Sequence, residues 1–221
     1  MDPSAPEVMT VEVWADVVCP WCQLGKAYLE SAIARFEHAD SVEVVWRSFE
    51  LDPQAPAVRE GSLTDHLVRK LGGSVEQVDE LHEMICQRGS EVGVDFQFDV
   101  AKPGNSFDAH RLLHLAKERG RQAELADALY TAYFTDGQPI GEPTALATIA
   151  TGAGLQPHEV ADVLGSDRYG PDVRADEAEA QSLGVSGVPF FVFDRRVAAS
   201  GAQPPEVLLG GLEQAWAARG R

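Results

Sequence analysis

Two cysteines separated by a proline and a tryptophan, Cys19-Pro20-Trp21-Cys22, are the residues of this chain best suited to chemistry. A thiolate is the nucleophile in thiol-disulfide exchange, so the question is what would hold one of these sulfurs deprotonated. If the pair opens a helix, the first sulfur faces unsatisfied N–H groups and the positive end of the helix dipole, which favour thiolate over thiol. A cysteine with an ordinary pKa of about 8.5 falls to about 3.5–7.5 in such a setting. Cys19 is therefore the expected nucleophile. Cys22, one turn further in, can attack a mixed disulfide on Cys19 and release the partner, which makes it the expected resolving thiol.

Paired cysteines at this spacing also begin zinc sites, but those need four ligands. The third cysteine, Cys86, has no neighbouring CxxC or HxxxH, so no metal is expected. Cys86 borders an apolar stripe of Val78, Leu81 and Ile85 and is expected to behave as a small, inert hydrophobe.

The elements that would position the pair can be read from periodicity. Residues 11–18 (VEVWADVV) alternate and then run apolar, as a strand with a buried face does, and Pro20 suits the first helical position because its missing N–H costs nothing there. Leu24, Ala27, Tyr28, Ile33 and Phe36 continue the helix, and residues 42–49 (VEVVWRSF) form a second strand, completing a right-handed βαβ unit. From Leu51 to about Gly184 the period is helical, with five to seven helices expected. Ser74 and Gln77 make a capping box, Asn105 or Ser106 can cap a helix that Gly120 stops, and Pro143, Pro157 and Pro171 sit where helices begin. A third strand over 188–193, a fourth over 197–201 and a helix over 204–216 close the chain. The fold class is thus α/β, with βαβ and ββα parts flanking a helical block. The expected division is 1–51 and 171–221 for the two parts of one sheet domain and 52–170 for the insertion.

Composition narrows the partners. The 221 residues carry 18 Lys and Arg against 35 Asp and Glu, a net charge of −17, and no stretch interleaves cations with aromatics. Nucleic acid is therefore not an expected partner, and neither is a membrane, since no run of about 18 apolar residues is present. Three cysteines do not make a disulfide framework. Met1 to Thr10 has neither a basic nor an apolar leader segment, so a cytoplasmic protein is expected, although a trimmed mature chain would read the same. Oligomeric state has no signature in the sequence.

With these parts in place, the chain resembles the DsbA-like branch of the thioredoxin superfamily. The stretch Asn105-Ser106-Phe107-Asp108-Ala109-His110-Arg111-Leu112-Leu113 and the later Gly184-Val185-Ser186-Gly187-Val188-Pro189-Phe190-Phe191 are similar to FrnE-type dithiol-disulfide oxidoreductases and isomerases. The resemblance implies a thioredoxin fold interrupted by a helical insertion, and a redox-active disulfide with no further cofactor. It also implies a cis peptide before Pro189, laid against the CxxC pair, although X-Pro bonds in general favour trans. Val188 and Pro189 would then present backbone to a thiol or disulfide substrate, Pro20 and Trp21 would flank it, and Asn105 and His110 would stand at the rim of the cleft as binding groups. On the residues alone, Asn105 could equally be a cap, and His110 and His114, one turn apart, could face the thiols or be structural. Trp21 stands where strongly oxidising relatives carry histidine, so a less oxidising couple is expected.

Two rival functions use the same residues differently. A glutathione-dependent isomerase or transferase of the kappa or hydroxychromene carboxylate isomerase type would engage glutathione at Cys19 without cycling Cys22. A non-catalytic, chaperone-like module would hold apolar segments and need neither thiol. A redox recycling partner is required only by the dithiol reading.

Overall fold

The computed structural model describes residues 8–219. The outermost bounds of the expected division, and the reading of residues 1–7 as free of a leader, lie outside the described residues. Strand β1 (Met9–Ala15) is followed by helix α1 (Pro20–Ala34) and by β2 (Val42–Ser48), which pairs parallel with β1 so that Val11 faces Val44 and Trp14 faces Arg47. Strand β3 (Phe190–Phe193) lies antiparallel on the other side of β1, and β4 (Val197–Ser200) is antiparallel to β3, giving the order β2-β1-β3-β4. This is a thioredoxin fold.

Seven helices occupy the chain between β2 and β3: α2 (Leu63–Leu71), α3 (Val75–Ser90), α4 (Phe107–Glu118), α5 (Gln122–Phe134), α6 (Pro143–Gly152), α7 (Pro157–Leu164) and α8 (Gly170–Ser182). The capping box of Ser74 and Gln77 forms at α3, and a second one, from Ser62 and Asp65, starts α2. Ser106 is the N-cap of α4 but makes no side-chain cap bond, because Asn105 Oδ1 accepts the Phe107 N–H at 2.9 Å instead. Strand β3 begins at Phe190 rather than Val188, since Pro189 has no N–H to give a ladder.

The side chains of β1 divide by parity between two cores. Val11 and Val13 join Phe191 and Phe193 in the larger core, whereas Trp14 packs with Ala180, Val185 and Val192. Helix α9 (Pro205–Ala217) lies against α1. On the Trp14 face α8 is tied down by charge: Asp176, 3% exposed, accepts the Ser48 N–H at 2.9 Å and meets Arg47 Nη1 at 3.0 Å and His114 Nε2 at 3.2 Å. Its backbone oxygen accepts the indole N–H of Trp14. This clamp fixes the helical block onto the sheet behind the CxxC pair.

One close approach decides how α1 sits. A Cβ on Gly25 would lie 2.8 Å from Pro189 Cγ and 3.1 Å from Phe191 Cζ, nearer than packed carbon atoms come. Only glycine at this position lets the active helix rest on the Pro189 turn.

Candidate active site

Cys19 is the N-cap of α1, Pro20 is its first residue, and no acidic side chain stands in the first turn. The positive end of the helix is therefore left to the sulfur of Cys19. The residue is held there by its own N–H, which donates to Asp16 O at 3.1 Å, and by its carbonyl, which accepts from Cys22 N at 3.0 Å. Only 4% of Cys19 is exposed, so the approach to its sulfur is narrow. Cys22 is wholly buried, and the two thiols are free and hydrogen-bonded to each other. Burial first, then the bond to Cys19 and its charge, push the Cys22 thiol well above the usual cysteine range, and the Asp16 backbone N–H offsets this only in part. The pair is thus asymmetric, with the inner thiol holding its proton.

The peptide between Val188 and Pro189 is cis, and the Val188 carbonyl oxygen lies 3.8 Å from Cys19 Sγ. Trp21, half-buried, is covered by the guanidinium of Arg88 from α3 at 5.5 Å. The sequence therefore brings Cys19, Pro20, Trp21, Cys22, Val188 and Pro189 to one place.

Asn105 is half-buried, whereas His110 is enclosed. Asn105 spends both ends of its amide internally, its Oδ1 on Phe107 N and its Nδ2 donating to Glu50 Oε1 at 3.4 Å. His110 is 1% exposed and so offers a partner almost no surface, with Nε2 3.4 Å from Asp16 Oδ1. The reason is the face of α4 on which His110 falls, shared with buried Ala109 and Leu113. His114, a turn later, turns to Ser48 and Asp176 rather than to the sulfurs.

Three groups in this region carry no obvious sequence signal. Asp16, fully buried, accepts the Leu51 N–H at 2.7 Å and the Val18 N–H at 3.3 Å on its carboxylate. Glu50 is also enclosed and pairs with Arg174 Nη1 at 2.5 Å; burial pushes its carboxyl up and Arg174 offsets this only in part. Tyr130 donates its hydroxyl to Asp16 O at 3.4 Å, and burial followed by the nearby thiols and Asp16 raises it well above the ordinary range. The one clue was Asp16 itself, a lone carboxylate within an apolar run three residues before Cys19. Among the described residues no group of three or more His, Cys, Asp or Glu side chains is arranged to hold a metal ion.

Comparison with known proteins places this geometry. The model of the DSBA-like thioredoxin domain matches residues 10–213. The chain belongs to the DSBA-like family. The crystal structure of a probable DsbA oxidoreductase from Streptomyces coelicolor is 45% identical, with a TM-score of 0.91 over 95% of this chain and 90% of that one. The uncharacterized protein YwbO of Bacillus subtilis is 27% identical over 184 residues, 82% of this chain and 85% of its own length. The cytosolic disulfide reductase DsbM of Pseudomonas aeruginosa, in a structure with GSH, is similar in fold, at 19% identity and a TM-score of 0.62 over 94% of this chain and 99% of that one. This DSBA-like protein is a disulfide oxidoreductase or isomerase. No helix among its described residues is long and apolar enough to cross a membrane.

Proposed function

We propose that this protein is a FrnE-type dithiol-disulfide oxidoreductase or isomerase in which Cys19 attacks and Cys22 resolves. The Cys19 thiolate attacks one sulfur of a partner disulfide, forming a Cys19–partner disulfide and releasing the other partner sulfur as thiolate. Cys22 then gives up its proton and attacks the Cys19 sulfur, and the second partner sulfur leaves. The partner gains two electrons and this chain keeps a Cys19–Cys22 disulfide, and the reverse sequence oxidises a dithiol. No metal or organic cofactor takes part. The carrying observation is the placement of Cys19 at an acid-free helix start with Cys22 hydrogen-bonded behind it.

Pro20, Trp21, Val188 and Pro189 form the surface against which the partner lies, the Val188 backbone beside Cys19 suiting an extended segment. Asn105 and His110 support the site from behind. Glutathione is the thiol we assign to recycling, a reading favoured by the fold shared with the GSH-containing DsbM structure. We place the protein in the cytoplasm on the same likeness, and keep 52–170 as an insertion between sheet parts 1–51 and 171–221.

The experiment is turnover of a disulfide substrate by Cys19→Ser and Cys22→Ser variants. Loss of all exchange in the first and accumulation of mixed disulfide in the second is expected. Equal activity in both overturns the assignment, and full glutathione-dependent activity in Cys22→Ser favours the transferase rival.

A further inference from the structure

A cavity of about 80 Å3 opens beside the CxxC motif, and its polar groups take no part in the exchange between sulfurs. It is several times larger than the roughly 10–15 Å3 that one water needs. Val18, the residue before Cys19, forms part of its wall. Helix α2 contributes Lys70, the segment before α2 contributes Arg59, and Ser106 at the start of α4 and Tyr133 of α5 complete the polar lining. Two of these groups are enclosed hydroxyls without partners. Ser106 is 3% exposed and Tyr133 is 1% exposed, yet neither side chain makes a hydrogen bond among the described residues. Buried polar groups are nearly always bonded, so two unused hydroxyls on one cavity wall are placed to meet a ligand.

The remaining groups make the cavity rich in donors. Lys70 Nζ reaches only the Leu51 carbonyl, at 3.5 Å, and has no carboxylate at ion-pair distance among the described residues. Arg59 spends one nitrogen, Nη2, on Asp52 and has no other side-chain partner there. The two anions of the lining are already engaged. Asp16 accepts the Val18 and Leu51 N–H groups, one on each oxygen, and Asp52 accepts the Gln54 N–H and Arg59. Burial, and after it Asp16, raises the Tyr133 hydroxyl above its ordinary range, so Tyr133 keeps its proton and can donate it to a hydrogen bond. A carboxylate is the group whose oxygens accept from hydroxyls and cations together.

We propose that this cavity is a subsite for a carboxylate arm of the substrate, and that the protein exchanges preferentially with small disulfides carrying a carboxylate a few bonds from sulfur. Ser106 and Tyr133 donate to the carboxylate oxygens, and Lys70 and Arg59 supply positive charge. This deepens the reading of Cys19 as the attacking thiol and rests on it. When Cys19 attacks, the sulfur bearing the held arm becomes its partner in the mixed disulfide, and the other half of the substrate leaves as thiolate. Cys22 then closes the Cys19–Cys22 bond and expels the first half as a thiolate with its carboxylate, so the substrate has gained two electrons.

Two further facts agree with a small, acidic substrate. Cys19 is only 4% exposed, which favours a slender disulfide over a bulky one. The protein as a whole carries a net charge of −17, and such a field draws cations and repels anions. A preference for an anionic disulfide therefore runs against the overall charge and would identify the local cavity as its source.

The test mixes the reduced full chain with excess disulfide, quenches single turnovers in acid, and follows the loss of the Cys19 and Cys22 thiols by alkylation and mass spectrometry. The acidic disulfides are 3,3′-dithiodipropionate and 4,4′-dithiodibutyrate, and the neutral one is bis(2-hydroxyethyl) disulfide. Each rate is divided by that of the same disulfide with a small neutral thiol, which removes differences in intrinsic reactivity. At least one acid should exceed the neutral disulfide by about tenfold or more. Lys70→Gln, Ser106→Ala and Tyr133→Phe should each cut that ratio at least about threefold. Arg69→Gln, which removes a charge from α2 outside the cavity lining, should leave it unchanged. A parent ratio near one for both acids overturns the proposal whichever variants fold. An equal loss in Arg69→Gln and Lys70→Gln also overturns it, as does a full ratio in folded Ser106→Ala and Tyr133→Phe proteins. Failure of the reduced parent to exchange with any of these disulfides refutes the attacking role of Cys19 itself, and the proposal with it, which keeps the two failures distinct.

Discussion

Cys19 Sγ and the carbonyl oxygen of Val188 lie 3.8 Å apart although 169 positions separate them in the chain. The contact joins the start of α1 to the turn that leads into β3, and it depends on α1 lying against Pro189. Every expectation for the site follows from how that approach is held and from what stands behind it.

Gly25 is the first test of the approach. Gly25→Ala drives a Cβ into Pro189 and Phe191, an overpacking that costs about 1–3 kcal/mol. Chemical denaturation should show this loss, and the rate of disulfide exchange should fall in the protein that remains folded. Parent-like stability together with parent-like exchange would mean that the packing of α1 on Pro189 does not govern the site.

The inner thiol gives a second expectation. Burial and Cys19 hold Cys22 protonated near neutral pH, and its sulfur has no exposed surface. Brief treatment of the reduced native protein with iodoacetamide should leave Cys22 unmodified in peptide mass spectra, whereas the denatured protein should be labelled at all three cysteines. Rapid native labelling of Cys22 contradicts the asymmetry.

These features differ in how far the sequence revealed them. The strand, the CPWC pair and the helix were legible because each is local: apolar alternation, a proline suited to a helix start, and an apolar stripe at helical spacing. Ser74 and Gln77 were legible for the same reason. Asp16, Glu50 and Tyr130 were not, because each acquires its role from residues distant in the chain, Asp16 from Leu51 and His110, Glu50 from Arg174, Tyr130 from Asp16. His110 and His114 were visible as a helical pair, but the tertiary fold alone decides that one faces Asp16 and the other Asp176.

Asp176 yields a prediction about pH and stability. Burial alone would raise its carboxyl, but the bonds from His114 and Ser48 and the charges of His114 and Arg47 prevail, so it titrates below the ordinary 3.8. A depressed folded value contributes stability that is complete above the unfolded value and is lost as pH falls through the folded one. Asp176→Asn should flatten the acid limb of a stability curve below about pH 4. Asp176→Ala, which leaves Arg47 with Glu12 as its remaining carboxylate and the buried Ser48 N–H without an acceptor, should cost about 1–3 kcal/mol near neutral pH. An acid limb identical to the parent's in Asp176→Asn counts against the clamp.

Trp21 under Arg88 should matter less. A partly exposed cation-π contact contributes about 0.5–1 kcal/mol, so Arg88→Ala should lower stability by no more than that while shifting Trp21 fluorescence and leaving resolution by Cys22 intact. A larger loss of exchange would make Arg88 part of the partner surface.

Cys19 and Cys22 are proposed to form one reversible two-electron couple. Equilibration of the protein in a series of reduced and oxidised glutathione mixtures, followed by acid quenching, alkylation and mass spectrometry, tests it most directly. A single transition is expected, in which both thiols disappear together into a Cys19–Cys22 linked peptide while Cys86 stays alkylated. Persistence of two free thiols across the series, or separate glutathione adducts on Cys19 and Cys22 with no bond between them, would contradict it.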